Sequence, residues 1–161
     1  MAEPADKARK LAKLLDFRCE FIEHPHADGS TSSGATRALG VELSRIVKCL
    51  LLRSRKKKLI FAIIGGDTKF SPKKLEIATG EKKFSLVARE QVQALTSFLP
   101  GGIPPFIGLY LKIPTYLDEL VLVNEDMYGS GGSPYIGLRF NPQDLVEKGV
   151  IIADLAEINS F

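Results

Sequence analysis

Ile46-Val47-Lys48-Cys49-Leu50-Leu51-Leu52, Arg53-Ser54-Arg55-Lys56-Lys57-Lys58 and Leu59-Ile60-Phe61-Ala62-Ile63-Ile64-Gly65-Gly66 follow one another without a break. The two apolar runs show no alternation with polar residues, the pattern of strands buried on both faces. The basic segment between them is too short for a crossover helix, so it reads as a hairpin tip, and Gly65-Gly66 ends the second strand. A hairpin at the centre of the chain argues against a doubly wound parallel sheet.

The flanking sequence agrees. Lys7 to Leu15 carries a helical apolar stripe, and Phe17 to Glu23 alternates as a half-buried strand does. Thr31 precedes a helix through Leu39 that Gly40 ends, and Ser71-Pro72 opens a helix to about Ala78 that Gly80 ends. Phe84 to Val87 reads as a short strand and Ala88 to Leu95 as a short helix. Thr115 to Val123 and Tyr135 to Phe140 read as strands, Asn141-Pro142 opens a helix, and Val150 to Ala153 is a last short strand. Irregular interleaving with hairpin connections predicts an α+β fold, a mixed, curved sheet with helices around it. No linker, repeat or low-complexity tract divides the chain, so residues 1–161 are expected to form one domain.

Composition narrows the function classes. The chain has 161 residues, 45% hydrophobic and 25% charged, with a formal charge of +3. That balance is ordinary for a globular protein and permits contact with RNA. No apolar run approaches the ~20 residues needed to cross a bilayer. The N-terminus is polar with mixed charge, so the expected location is the cytoplasm. Cys19 and Cys49 form no C-x-x-C pair, and Cys49 reads as a small buried hydrophobe. His24 and His26 have no acidic or cysteine cluster beside them, so neither a metal nor a cofactor is expected.

Four features could carry chemistry. Lys48 is a lone cation in an apolar strand. It is either a functional inward ammonium or an edge residue whose stem snorkels to water. Ser97-Phe98-Leu99-Pro100-Gly101-Gly102-Ile103-Pro104-Pro105 offers unobstructed N–H groups at its glycines and a stiff proline end, and it fits either main-chain recognition or a rigid surface turn. Ser130, Gly131 and Gly132 form a second glycine loop, an anion nest or a tight hairpin. Arg53, Arg55, Lys56, Lys57 and Lys58 form the densest basic cluster, a solvated face or a track for phosphates. Lys69, Lys73, Lys74, Lys82 and Lys83 could extend it. Thr31 is explained as an N-cap, with Ser30 beside it.

In this order and spacing, the set resembles the YbaK/ProX family of free-standing aminoacyl-tRNA editing domains, also found inserted in bacterial prolyl-tRNA synthetases. The resemblance runs from about Lys13 to Ala156. It implies a closed, barrel-like mixed sheet and a trans-editing deacylase that hydrolyses the ester of a mischarged tRNA. It implies that Lys48 lines the editing pocket and is needed for deacylation, and that Gly101 and Gly102 begin the family's GxxxP loop at the ester. Ile103 and Pro105 belong to that loop, Ser30 and Thr31 to the amino-acid pocket, and Ser130, Gly131 and Gly132 to its second glycine loop.

Alanyl-, cysteinyl- or seryl-tRNA, with tRNA(Pro) as carrier, is the implied substrate, and a prolyl-tRNA or other synthetase the implied partner. Water or the substrate's own ribose hydroxyl would share the chemistry. Relatives carry an aspartate where this chain has Gly137, and Asp67 and Asp126 are poor substitutes. That departure keeps open a non-catalytic tRNA- or synthetase-binding module of the same fold.

Overall fold

The apolar hairpin forms as its sequence dictates. In the computed structural model, which describes residues 4–158, β2 (Val47–Arg53) and β3 (Leu59–Gly65) pair antiparallel from Val47↔Gly65 to Arg53↔Leu59. The turn is pinned by Ser54, whose N–H donates to Lys58 O at 2.9 Å and whose Oγ accepts from Lys58 N at 3.1 Å. β3 is buried on both faces. Phe61 and Ile63 enter one apolar cluster with Leu51, Phe106 and Leu117, while Ile60, Ala62 and Ile64 enter another with Leu52, Leu75 and Leu155. Two clusters on opposite sides of one strand account for the unbroken apolar run.

The remaining elements wrap this hairpin. In chain order they are α1 (Pro4–Leu14), β1 (Cys19–Glu23), α2 (Ser32–Leu39), β4 (Thr68–Phe70), α3 (Pro72–Thr79), β5 (Ser85–Leu86), α4 (Arg89–Thr96), α5 (Ile107–Leu111), β6 (Thr115–Asp118), β7 (Met127–Ser133), β8 (Ile136–Phe140), α6 (Pro142–Glu147), β9 (Ile151–Ala153) and β10 (Ala156–Ile158). Strand order in the largest sheet is β5-β2-β3-β6-β9, with β3–β6 and β6–β9 parallel and the rest antiparallel. A second, antiparallel sheet has the order β1-β8-β7, and β10 pairs with β4 in a third.

The mixed α+β architecture stands, but the described strands do not close into a single barrel. They sort into three sheets, and the two larger ones share an apolar cluster but pair through their backbones at one parallel bridge, Ile46↔Tyr128.

Helix ends follow their capping residues. Thr31 Oγ1 accepts from Gly34 N, Ser71 Oγ from Lys74 N and Asn141 Oδ1 from Gln143 N. Gly40 and Gly80 close α2 and α3 in the left-handed conformation. Two expectations need correction. The strand expected over Thr115 to Val123 stops at Asp118, whose carboxylate accepts from Leu120 N at 3.3 Å and starts a 3-10 turn over Glu119–Val123. The glycine loop around Ser130 lies in β7, paired with β8 through an irregularity between Ser130 and Ser133.

Asp118 also fastens the C-terminal segment. It is fully buried, and its Oδ1 accepts from Leu155 N at 2.8 Å and Ala156 N at 3.2 Å. Asp118→Ala therefore leaves three main-chain donors without this acceptor, and is expected to lower stability by about 2–4 kcal/mol. In urea the midpoint should fall by roughly 1–2 M at unchanged slope. An unchanged midpoint would show that the carboxylate fastens nothing.

Candidate active site

β2 has one covered edge and one open one. Along β3 its ladder is complete, but β5 pairs only with Leu52 and Arg53, and the backbone of β7 pairs only at the Ile46 bridge. Leu51 turns its carbonyl to Val87 N at 3.0 Å, on the β5 side. Because main-chain groups alternate along a strand, Cys49 turns its own N–H and C=O the same way. Between the two contacts this open edge borders a cleft of about 240 Å³. Gly29, Ser30, Thr31, Ser32 and Ala35 line it from the α2 side, residues 46–50 from β2, Gly101 and Ile103 from the glycine-proline loop, and Gly129 and Ser130 from β7.

Lys48 is half-buried at this cleft, and its Nζ donates to the main-chain carbonyl of Thr68. The turn that presents this carbonyl is held by Gly66 N donating to Ile46 O at 2.6 Å and Thr68 Oγ1 donating to Gly65 O at 2.8 Å. Burial pulls the ammonium below the usual lysine range, while the nearby Asp67 carboxylate acts in the opposite sense.

The glycine loop meets the α2 loop at close quarters. Gly101 has φ +83°, and a Cβ there would run into the Ser30 carbonyl. Ser30 is itself fixed, its N–H donating to Asp28 Oδ1 at 2.8 Å, and Gly29 N donates to Pro134 O at 2.6 Å. Gly102 behaves differently from the expected second donor. Its N–H is engaged by Leu99 O at 2.8 Å, closing the turn, and it borders a neighbouring cleft. Of the loop's two glycine N–H groups, that of Gly101 has no acceptor among the described residues.

The other sequence-derived residues divide as follows. Ser30, Thr31, Ile103 and Ser130 line the Lys48 cleft. Thr31 also caps α2, so its two readings coexist. Pro105 stands behind the cleft, since a Cβ on Gly129 would lie 3.4 Å from its Cδ. Gly131 faces Ile136 in the next strand, and Gly132 borders the neighbouring cleft, its N–H donating to Ser130 Oγ at 3.1 Å.

The basic turn lies outside the cleft. Arg53 Nη1 donates to Gln91 Oε1 at 3.1 Å, Lys58 pairs with Glu81 at 2.9 Å, and Arg55 N donates to Lys82 O at 2.8 Å. That last bond brings Lys82 and Lys83 alongside, whereas Lys74 is drawn into an ion pair with Asp154 at 3.0 Å.

Sequence reasoning missed Gly29, Ala35, Ile46, Cys49 and Gly129 as cleft walls. Apart from the Cys49 thiol none carries a chemical signal; the register of β2 and β7 brings in Ile46, Cys49 and Gly129, and the approach of α2 and its preceding loop brings in Gly29 and Ala35. Burial pushes the Cys49 thiol up to about 12, which leaves it un-ionised and a poor nucleophile. At Gly137 the space for a side chain is filled by Leu39 of α2, whose Cδ atoms would lie 3.0 and 3.1 Å from a Cβ. An aspartate there would meet an apolar helix face.

Residues 26–148 match the family of aminoacyl-tRNA editing domains. The chain belongs to this family. Over 143 residues the editing domain is 34% identical to a candidate Cys-tRNA(Pro)/Cys-tRNA(Cys) deacylase of Enterococcus faecalis, EbsC, covering 87% of each chain. It is also 30% identical over 118 residues to the Bacillus subtilis protein YwhH, covering 73% of this chain and 74% of that one. Among solved structures it resembles a candidate trans-editing enzyme for prolyl-tRNA synthetase, with TM-score 0.82, 26% identity and coverage of 98% and 99%. Editing of this kind is hydrolysis of the ester that joins a wrong amino acid to tRNA.

The setting of Lys48 in the editing domain gives a titration test. In ¹³C NMR of ε-labelled lysines, one resonance should titrate below the others and vanish in Lys48→Ala. Asp67→Asn removes the charge that opposes the shift, so it should lower that midpoint further. Since the folded pKa lies below the unfolded one, stability from this group should rise as pH climbs from the folded value toward about 10.4. A Lys48 resonance that titrates with the bulk would contradict this electrostatic picture.

Proposed function

We propose that this chain is a trans-acting aminoacyl-tRNA deacylase for tRNA carrying a small amino acid. The observation that carries the reading is the position of Lys48, at the open edge of β2 in the same 240 Å³ cleft as Ser30, Gly101 and Ser130. In the reaction, water attacks the ester carbonyl and gives up a proton, with the adjacent ribose hydroxyl assisting by hydrogen bonding. The carbon–oxygen bond to the ribose breaks, and the leaving oxygen takes up a proton. The Lys48 ammonium is placed to stabilise the oxyanion or hold the terminal phosphate, and Gly101 N–H adds a donor that needs no reorganisation. The protein's contribution is positioning and charge stabilisation, without a nucleophile of its own.

The cleft's size and its small walls, Gly29, Ala35 and Gly129, favour alanine, cysteine or serine. The description of EbsC favours cysteine on tRNA(Pro) among these. Prolyl-tRNA synthetase is the synthetase partner this reading implies. Arg53, Arg55, Lys56, Lys57 and Lys58, with Lys82 and Lys83 beside them, would face tRNA phosphates. We take residues 1–161 as one domain working in the cytoplasm, with the two larger sheets as parts of a barrel-like wall.

One observation favours a second reading. Leu39 fills the place of the family carboxylate at Gly137, which suits a tRNA-binding module without chemistry.

Deacylation of Ala-, Cys- and Ser-tRNA(Pro) by wild type and Lys48→Ala separates the two. Under the deacylase reading, wild type hydrolyses at least one ester and Lys48→Ala loses about 10²–10³ in kcat. Full activity in Lys48→Ala would sink the mechanism, and tRNA binding without any hydrolysis would establish the binding module. Gly101→Ala should lower kcat/KM at least about tenfold, because the added methyl displaces Ser30, while the left-handed backbone conformation itself costs only about 1–2 kcal/mol of stability. A drop in activity matched by global unfolding in circular dichroism would refute that assignment.

A further inference from the structure

Beside the Lys48 cleft lies a larger one, of about 890 Å³, and the two share the Ser30–Thr31 wall. The glycine loop is the ridge between them, with Gly101 facing the smaller cleft and Gly102 the larger. On the far side stands α4, whose Arg89 and Gln93 lie one turn apart on the face that lines this cleft. Across from them is the tip between β7 and β8, where Tyr135 keeps 46% of its surface exposed. Its backbone is held at both ends, N–H to Ser133 Oγ at 3.2 Å and carbonyl to His24 N at 2.8 Å.

We propose that this second cleft holds the unpaired 3′ nucleotides of tRNA that precede the esterified adenosine, an assignment that rests on the deacylase reading of the first. Connectivity is the first argument. An ester on the terminal ribose obliges the preceding nucleotides to leave the ester site directly. The smaller cleft lies below the ~300–1,000 Å³ of drug-sized pockets, so it cannot take them as well. The cleft that continues it across a shared wall has the room.

Chemistry is the second argument. Single-stranded nucleic acid is held by aromatic faces for the bases and cations for the backbone. Tyr135 supplies the face. Arg89 supplies the cation, and among the described residues no carboxylate lies within 4.0 Å of it. Asp6 and Asp28 also border the cleft, so it is no plain phosphate groove. Carboxylates accept from the exocyclic amino group of cytosine, the base that precedes the terminal adenosine of mature tRNA.

Uncharged tRNA and the same tRNA lacking its last three nucleotides are the probes. Binding of each to wild type, Tyr135→Ala, Tyr135→Phe and Arg89→Ala is measured by fluorescence anisotropy. Removing the three nucleotides should weaken wild-type binding about 5- to 100-fold, and Tyr135→Ala should weaken binding of intact tRNA within the same range. Truncated tRNA should bind Tyr135→Ala and wild type alike, and Tyr135→Phe should keep wild-type affinity. Arg89→Ala should reduce the salt dependence for intact tRNA only.

The proposal is overturned if wild type makes no distinction between the two RNAs, including failure to bind either. It is equally overturned if Tyr135→Ala weakens both by the same factor, or alters amino-acid preference and leaves uncharged binding intact. No aminoacyl ester enters this assay, so a protein that distinguishes the RNAs but hydrolyses nothing would refute the deacylase reading alone.

Discussion

The unpaired edge of β2 is the constraint around which the rest of the structure is arranged. A strand tied along one side by a full antiparallel ladder is rigid. The same strand left open on its other side must find something for its main-chain groups to do. Here β5 is two residues long and the backbone of β7 pairs at one bridge, so the gap between them is neither sheet nor bulk solvent. The start of α2 with the loop before it, the glycine-proline loop and strand β7 close around it. The result is a cleft with a floor as stiff as the core.

A buried or half-buried ammonium is tolerated only where something answers its charge. Lys48 finds a main-chain carbonyl and, at longer range, one carboxylate. Both come from the turn after β3, and that turn is bonded back to the residue preceding β2. The cation is thus held by the same hairpin that carries it, and its position depends little on the mobile groups of the surface. Such fixed charge is what a site needs if it stabilises a transient anion rather than supplying a nucleophile.

Much of this was legible in the sequence, for physical reasons that differ by element. Lys48 stood out because a charge in an apolar strand demands explanation, and the caps at Thr31, Ser71 and Asn141 are local signals that act over three residues. β7 was not legible. Tyr128-Gly129-Ser130-Gly131-Gly132-Ser133 has no strand propensity, and pairing with β8 overrides that deficit. The short β4, β10 and α5 fall below the length at which periodicity can be seen. The engagement of Gly102 N–H by Leu99 also lay beyond the sequence, because two adjacent glycines look identical until the turn is built.

Gly29, Gly101 and Gly129 all line the smaller cleft, each where a methyl group would strike a neighbour. At Gly29 that neighbour is the His24 ring, at Gly101 the Ser30 carbonyl and at Gly129 the Val47 side chain. At these three positions the cleft is damaged by adding atoms, since there is no side chain to remove. Truncating side chains one at a time, the habitual way of mapping a protein surface, would pass over these positions in silence. The informative survey runs the other way, one methyl at a time, and its hits would mark where the backbone around the cleft is packed too closely for a side chain.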